Sequence, residues 1–302
     1  INDTLLKNVV SIKIIRRLAG KANFVAGVIW VWRPFLADLW GAIAKAKTRP
    51  GKIRGTIWVK QILHCLTWLR TFIEVRAHAM TRVYYMRQHF EDGEATVAVD
   101  ASPWGLGAVL YINNILVAAL HSLLSEFDQA LFGKQRGLNA GQQTWEFLAL
   151  LVALRHWSGR WESTRFKLIV KSDSMAALAS LSTLKAKADN DGFNIIAREL
   201  ALDFGVALYS PNVVQHTPGV ANVLPDWLSR IAEPGRSIPQ PAALAGIVIE
   251  HPTPRTPSYF EAAPLPKASK GRRLALNRHQ TKTIMKQRYL RARLSVIRGR
   301  TL

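Results

Sequence analysis

The chain has 302 residues, of which 49% are hydrophobic and 20% charged. This length and apolar content suffice for about two domains with packed cores, which excludes a wholly disordered chain. The single cysteine, Cys65, excludes a disulfide scaffold and fits a reducing compartment, so we expect the cytoplasm or the nucleus. The first residue is Ile rather than Met, so we expect a fragment or a processed product.

The net charge of +21 is concentrated at the two ends of the sequence. Residues 1–92 hold 16 basic and 5 acidic side chains, and residues 267–302 hold 12 basic side chains and no acidic one. Residues 93–230, by contrast, are nearly neutral, with 11 basic and 12 acidic side chains. This distribution predicts a compact domain between two basic arms, with a polyanion such as nucleic acid as the partner.

Residues 1–92 are predicted to be helical, because apolar residues recur at helical spacing over 12–46 and 57–85. A break is expected at Arg33-Pro34, since proline disfavours helix in the residue before it. Apolar runs here are far shorter than the ~20 residues of a spanning helix, so no membrane partner is expected. Five tryptophans among the basic residues are expected in the core rather than stacked on bases: Trp30, Trp32, Trp40, Trp58 and Trp68.

From residue 93 the pattern predicts a mixed α/β fold. It begins with an antiparallel meander in which Asn113-Asn114 forms a hairpin turn, because Asn tolerates positive φ. A long mixed loop is expected over 121–142, and helices and strands then alternate. The predicted strands are 96–99, 107–112, 115–120, 166–170 and 207–215, and the predicted helices are 143–157, 174–184, 192–204 and 221–231.

The C-terminal region is predicted to be a linker followed by an arm. Eight prolines between 234 and 266 predict an extended, mobile linker over 232–266. The basic tail, 267–302, can then reach nucleic acid without being part of the fold. The competing hypothesis is that the tail is a nuclear-targeting or solubilising extension.

Four acidic residues occupy positions where α/β folds place functional groups. Asp100 and Asp173 follow predicted strands, Glu146 opens a helix, and Asp226 follows the last strand. Ligands gather outside the carboxyl ends of strands in open α/β sheets. Any single one of these acids could be an ordinary strand-end residue, but the set favours function. Carboxylates suit Mg²⁺ or Mn²⁺, and two such ions can promote phosphodiester hydrolysis.

These residues lie in motifs that resemble the ribonuclease H domain of LTR-retrotransposon and retroviral pol polyproteins, of gypsy or DIRS type. The motifs are residues 100–110 (DASPWGLGAVL), 146–150 (EFLAL), 172–174 (SDS) and 216–230 (HTPGVANVLPDWLSR). The resemblance implies a ribonuclease H-like domain over 93–231, with a mixed five-stranded sheet and flanking helices. It also implies a two-metal endonuclease that cleaves the RNA strand of RNA–DNA hybrids. The implied catalytic and metal-binding residues are Asp100, Glu146, Asp173 and Asp226.

Residues 18–24 (LAGKANF) and 33–36 (RPFL) resemble, more weakly, the segment that follows the polymerase palm in the same elements. This implies that 1–92 is a segment similar to the reverse transcriptase thumb and connection. No Tyr/Phe-x-Asp-Asp motif occurs, so this chain alone is not expected to synthesise DNA. A palm from the same polyprotein is then an expected partner.

Three further residues are candidates for substrate binding, each with a structural alternative. His216 is implied to assist product release or simply to end a strand. Asn222 contacts the nucleic-acid backbone or caps the last helix, and Ser102 contacts substrate or bonds its own turn. Four other acids are expected to be solvated in loops: Glu126, Asp128, Asp189 and Asp191.

Two rival functions are also consistent with the sequence. A decayed element would bind nucleic acid and cut nothing, and a structural subunit would support a polymerase on another chain. The Gly105-Leu106-Gly107 run lacks the rest of a dinucleotide fingerprint and does not predict a nicotinamide site.

Overall fold

The structure, a computed structural model, describes residues 1–48, 55–76, 80, 93–161, 166–185, 191–207 and 210–262. Ile1–Ala262 form one compact unit. The predicted basic tail, 267–302, lies outside the described residues. Within the described ranges, every helix is too short or too polar to cross a lipid bilayer.

The N-terminal segment combines helices with a small two-stranded antiparallel sheet, which the sequence did not predict because its strands are only three residues long. The predicted helix over 57–85 begins at Val59 and is described as far as Glu74, and most of its predicted remainder lies outside the described residues. The elements are α1 Asn2–Leu5, β1 Val9–Ser11, α2 Ile12–Val28, α3 Arg33–Thr48, β2 Thr56–Trp58 and α4 Val59–Glu74.

The predicted break between the first two long helices is confirmed. A 3₁₀ turn at Trp30–Trp32 separates α2 from α3, and Pro34 lies in the first turn of α3, where a missing N–H costs nothing. Among the tryptophans expected in the core, Trp32 is buried, whereas Trp40 and Trp58 are each 40% exposed.

The rest of the described chain builds a six-stranded mixed sheet flanked by helices. Its elements are β3 Glu94–Ala101, β4 Gly105–Ile112, β5 Ile115–Leu123, α5 Glu126–Phe132, α6 Gln142–Trp157, β6 Lys167–Ser172, α7 Met175–Thr183, α8 Asp191–Ala207, β7 Val213–His216, α9 Val223–Ser229 and β8 Ile249–Glu250. The strand order is β7-β6-β3-β4-β5-β8. The predicted meander is confirmed, because β3, β4 and β5 pair antiparallel, while β6 and β7 join parallel to the β3 side.

The turn between β4 and β5 is the predicted hairpin. Asn113 and Asn114 have φ values of 50° and 66°, and Ile112 pairs with Ile115 across the turn. Both central residues of such a turn need positive φ, which Asn adopts more readily than most residues.

Two helices on the sheet position the strand ends. α6 is apolar on nearly all sides and buries Trp145, Phe147 and Trp157 between the sheet and α8. α9 lies directly on β4, where a Cβ on Gly107 would come within 2.2 Å of the Pro225 carbonyl oxygen. The glycine therefore permits a close approach of helix and strand, which explains the Gly-x-Gly run without a nucleotide.

The predicted loop over 121–142 is wrong in part, because it contains α5. Ser125 and Asp128 form a capping box: the Ser125 hydroxyl accepts from the Asp128 N–H, and the Asp128 carboxylate accepts from the Ser125 N–H. Asp128 is fully buried and ion-paired with Arg255 at 2.8 Å, so the prediction of a solvated loop acid is wrong for it. Glu126 is exposed as expected, whereas Asp189 and the side chain of Asp191 lie outside the described part.

The predicted mobile linker is also wrong for its described part, and it adds a sixth strand to the expected five. β8 pairs parallel with β5, and residues 251–262, which we call the C-terminal strap, pack back onto the helices. Phe260 is buried with its ring centroid 5.9 Å from that of Phe132, and the Ala262 N–H donates to Glu199 at 2.5 Å. Arg155 completes this contact by donating to the Tyr259 carbonyl at 2.6 Å. Proline content alone did not reveal these long-range contacts.

Candidate active site

Asp100 and Asp173 lie at the same edge of the sheet, at the carboxyl ends of two neighbouring strands. β3 and β6 are parallel neighbours, and Ala98 pairs with Lys171. Two residues further along, Asp100 is the penultimate residue of β3 and Asp173 directly follows β6. The parallel register thus brings together two carboxylates that are 73 positions apart in sequence.

Asp100 is the most buried of the four predicted acids, with 6% of its surface exposed. The Ser229 hydroxyl donates to its Oδ2 at 2.8 Å. Burial raises the pKa of Asp100 to about 7; the Ser229 hydrogen bond opposes this rise, and the charges of Asp173 and Asp226 add to it. The acid is therefore close to half-protonated near neutral pH in the absence of a cation.

Glu146 reaches the same edge from α6. Burial raises its pKa, hydrogen bonds from Ser174 and Gln142 oppose the rise, and the charge of Asp173 adds to it. Gln142 also donates to the Ala101 carbonyl at 2.5 Å, which fixes the start of α6 against the end of β3. The charge of Asp173 acts on Glu146, so the two carboxylates lie near each other.

Asp173 has an oxygen without a partner. Its Oδ1 is buried and accepts no hydrogen bond from the described residues. Its Oδ2 faces Gly219, where a Cβ would lie 3.4 Å away. A buried carboxylate oxygen without a donor is unfavourable unless a cation or a proton satisfies it.

Asp226 lies in the first turn of α9, and Pro225 fits there because an N–H at that point of a helix has no partner to lose. Its Oδ1 accepts from Arg230 Nε at 2.6 Å, and its Oδ2 lies 3.7 Å from Arg236 Nη2. Its charge acts on Asp100, so it belongs to the same electrostatic site. Unlike Asp173, it already has cationic partners.

Ser102, predicted to bind substrate or to bond its own turn, does the second. Its hydroxyl is buried, donates to the Ser229 carbonyl at 2.7 Å, and accepts from the N–H groups of Trp104 and Gly105. The hydroxyl is therefore engaged inside the protein, and substrate contact by Ser102 is not supported.

Asn222 does not take its predicted capping role, and its predicted contact with nucleic acid stays a prediction. It stands at the N-cap position of α9 but makes no side-chain capping bond. Its Nδ2 instead donates to the Val99 carbonyl at 2.9 Å, and the side chain is buried. The residue ties the start of α9 to the strand that carries Asp100.

His216 ends β7 and is exposed, as the strand-end interpretation expects. It pairs in register with Ser172, which precedes Asp173. The imidazole thus lies one strand away from the acidic edge, and a role in product release stays a prediction.

Four residues that hold the acids were not singled out from the sequence: Gln142, Ser174, Ser229 and Arg230. The Asp226–Arg230 spacing is the i,i+4 pattern of a helical ion pair, so it was readable in the sequence. Ser174 precedes an apolar run and caps α7, which is the usual signal of a helix start. The Ser229–Asp100 bond joins distant segments and left no local signal.

The acidic edge fits a divalent cation in part. Its donors are hard oxygens, and Oδ1 of Asp173 lacks a partner. Over the described ranges, however, no three Asp, Glu, His or Cys side chains are grouped as a ready metal-binding set. Asp100, Glu146 and Asp173 therefore fit a cation by chemistry and charge, whereas Asp226 is engaged by arginine.

Comparison with known proteins gives little further guidance. No family model matches the chain, and no curated protein matches it. Among solved structures, the chain is similar to the ribonuclease H1 of the halophilic archaeon Halobacterium salinarum NRC-1, with 20% identity and a TM-score of 0.33. The match covers 45% of this chain and 94% of that chain. An identity of 20% and a TM-score of 0.33 are too low to infer a shared fold or a shared activity.

Proposed function

We propose that residues 93–231 form a ribonuclease H-like domain that hydrolyses the RNA strand of RNA–DNA hybrids in a metal-dependent reaction. The observation that carries this proposal is that Asp100 and Asp173 lie side by side at the carboxyl ends of neighbouring parallel strands. Glu146 joins them from α6, and all three belong to one electrostatic site. Acids gathered at the carboxyl ends of strands are typical of cation-dependent phosphodiester chemistry.

In this proposal two Mg²⁺ or Mn²⁺ ions are held by Asp100, Glu146, Asp173 and Asp226. When bound, such ions supply positive charge that polarises the phosphodiester and lowers the pKa of water. The protein's part is to present ionised carboxylates: Asp100 must lose a proton near pH 7, and Asp173 offers an oxygen that has no other partner. The expected products carry a 3′-hydroxyl and a 5′-phosphate.

The basic regions would hold the duplex by its phosphates. Along α2, four cationic side chains are exposed: Lys13, Arg16, Arg17 and Lys21. Together with the tail over 267–302, they supply charge that the nearly neutral domain lacks. Phosphate contacts of this kind give affinity without sequence readout.

We further propose that the chain is the C-terminal part of a retroelement reverse transcriptase polyprotein. The support is the sequence resemblance of residues 18–24, 33–36 and 93–231 to the corresponding segments of such proteins. A polymerase palm of the same polyprotein would then be the partner, and the cytoplasm or nucleus the compartment.

The test is a cleavage assay on a labelled RNA–DNA hybrid, with Mg²⁺ and with a chelator. We expect cleavage that requires the metal and is lost in Asp173→Asn, while hybrid binding persists. The matched control is Glu126→Gln, which neutralises an exposed acid on α5 and is expected to cut like the parent. Equal cleavage by Asp173→Asn and the parent would refute the proposed site.

The second candidate is a chain that binds nucleic acid without cutting it, as an inactive remnant or a structural subunit. It is favoured by the arginines on Asp226 and by the absence of three grouped ligands in the described residues. Tight hybrid binding with no metal-dependent cleavage in the parent would identify this function.

A further inference from the structure

Asp226 is clamped between two arginines that follow it in the chain. Arg230 Nε lies 2.6 Å from Oδ1, and Arg236 Nη2 lies 3.7 Å from Oδ2, so each carboxylate oxygen faces a guanidinium. Glu233 holds the arginines in place, since its Oε2 accepts from Arg236 Nη1 at 2.8 Å and lies 3.6 Å from Arg230 Nη1.

This clamp is part of the acidic edge rather than a remote surface pair. Ser229, between Asp226 and Arg230, bonds Asp100 directly. The charge of Arg230 lowers the pKa of Asp100 and that of Asp226 raises it, so both act on the buried acid. A change in the ion pair between Asp226 and Arg230 therefore changes the electrostatic environment of Asp100.

A guanidinium beside each oxygen weakens the binding of a divalent cation to this carboxylate, because the cation must approach two positive charges and share or replace the lone pair that Arg230 uses. The pair is exchangeable, however, because Asp226 and Arg230 are each about one-third exposed, and ion pairs at such positions are weak.

We propose that Arg230 is the resident counter-cation of Asp226, and that a divalent cation competes with it for this carboxylate. This inference rests on the proposed metal-dependent function. It assigns to Arg230 a defined role: the arginine competes with the metal and thereby sets the affinity of the acidic edge for it. Arg236 has a weaker role, because its contact with Asp226 is longer.

The experiment titrates the metal-free, full-length protein with Mn²⁺ and measures the free ion by electron paramagnetic resonance. Arg230→Gln is expected to bind Mn²⁺ about two- to fivefold more tightly than the parent, the range that a weak exposed ion pair allows. Arg236→Gln is the matched control, and a smaller gain is expected from it. Equal affinities of Arg230→Gln and the parent would overturn the inference.

A double-mutant cycle separates competition at Asp226 from a general change in charge. If Arg230 acts through Asp226, Arg230→Gln gives no gain in the Asp226→Asn background. The same gain with and without Asp226 would show long-range electrostatics only and would overturn the inference. Circular dichroism of each variant checks that α9 and the sheet are retained.

The Asp100→Asn variant distinguishes failure of the inference from failure of the proposed function. Mn²⁺ binding that depends on Asp100, with no effect of Arg230→Gln, refutes the competition alone. If the parent does not bind Mn²⁺, or if Asp100→Asn binds it as tightly as the parent, both the proposed metal site and the competition at it are refuted.

Discussion

The hydroxyl of Ser229 donates a 2.8 Å hydrogen bond to the buried carboxylate of Asp100, across 129 positions of sequence. At the other end of the same helix, Asn222 donates to the Val99 carbonyl, next to Asp100 in β3. α9 is therefore fastened at both ends to the strand segment that carries this acid. The geometry of Asp100 depends on a helix that contributes only one of the proposed ligands.

Removing the Ser229 hydroxyl should raise the pKa of Asp100 further, because that hydrogen bond favours the ionised form. We expect Ser229→Ala to shift the acidic limb of the pH–activity profile to higher pH and to cost about 1 kcal/mol of stability. Ser182→Ala is the control, since that hydroxyl donates to the Leu178 carbonyl of its own helix. An unshifted profile in Ser229→Ala would contradict the positioning role.

Ionisation of Asp100 should destabilise the metal-free fold. Its pKa is about 7 in the folded state against an ordinary 3.8, so the folded protein binds the proton more tightly. Stability is then lost as pH rises from about 4 to about 7. We expect Asp100→Asn to remove this slope and to increase the free energy of unfolding at pH 8 by up to about 4 kcal/mol. Urea unfolding at several pH values without divalent cations measures it, and a variant no more stable than the parent at pH 8 would refute it.

A methyl group at Gly107 should push α9 off the sheet. The new Cβ would lie 2.2 Å from the Pro225 carbonyl oxygen and 2.5 Å from the Ser229 nitrogen, both of them backbone atoms. We expect Gly107→Ala to cost about 1–3 kcal/mol. Gly20→Ala is the matched control: nothing lies within 4 Å of its Cβ, and it should stabilise α2 by about 0.5–1 kcal/mol. Thermal unfolding compares the two, and equal shifts would contradict the packing argument.

The buried pair between Asp128 and Arg255 should be a major support of the strap. Arg255→Ala leaves a fully buried carboxylate without its cation, so we expect a loss of about 3–5 kcal/mol. Arg70→Ala removes an exposed i,i+4 pair with Glu74 and should cost at most about 0.5 kcal/mol. Denaturant unfolding of both variants tests this, and similar losses would show that the strap does not stabilise the fold.

Deleting residues 267–302 should weaken binding to an RNA–DNA hybrid and flatten its salt dependence. Each phosphate contact contributes about −0.9 to the slope of log affinity against log salt. The catalytic step on bound hybrid should change little, since the proposed acids lie elsewhere. Affinity measured at several salt concentrations tests this, and an unchanged slope would favour a targeting or solubilising role.

The elements that the sequence predicted well are those with a local signal. The Asn113-Asn114 hairpin follows from a turn preference, and the strands ending near Asp100 and Asp173 follow from short apolar runs. Their meeting at one edge follows from parallel pairing, which the chain order of strands and helices suggests.

The features that it missed depend on partners far away in the sequence. β8 has only two residues, and the strap is held by Arg255 and Phe260, whose partners lie more than 100 positions earlier. Proline content predicts the local stiffness of the backbone and does not predict contacts with distant residues. The position of Asp128 was predictable from the sequence only in part. Its capping box with Ser125 is a local pattern, whereas its ion pair joins distant segments.

The strap also determines when this protein can finish folding during its synthesis. Arg255 is made 127 residues after Asp128, which at ribosomal speeds of about 5–20 residues per second is a delay of roughly 6 to 25 s. Until then the acid that will be fully buried in α5 has no counter-charge, and the Phe132 ring lacks Phe260. During this delay the surface of α5 that the strap will cover stays exposed in the nascent domain, where a chaperone can bind it.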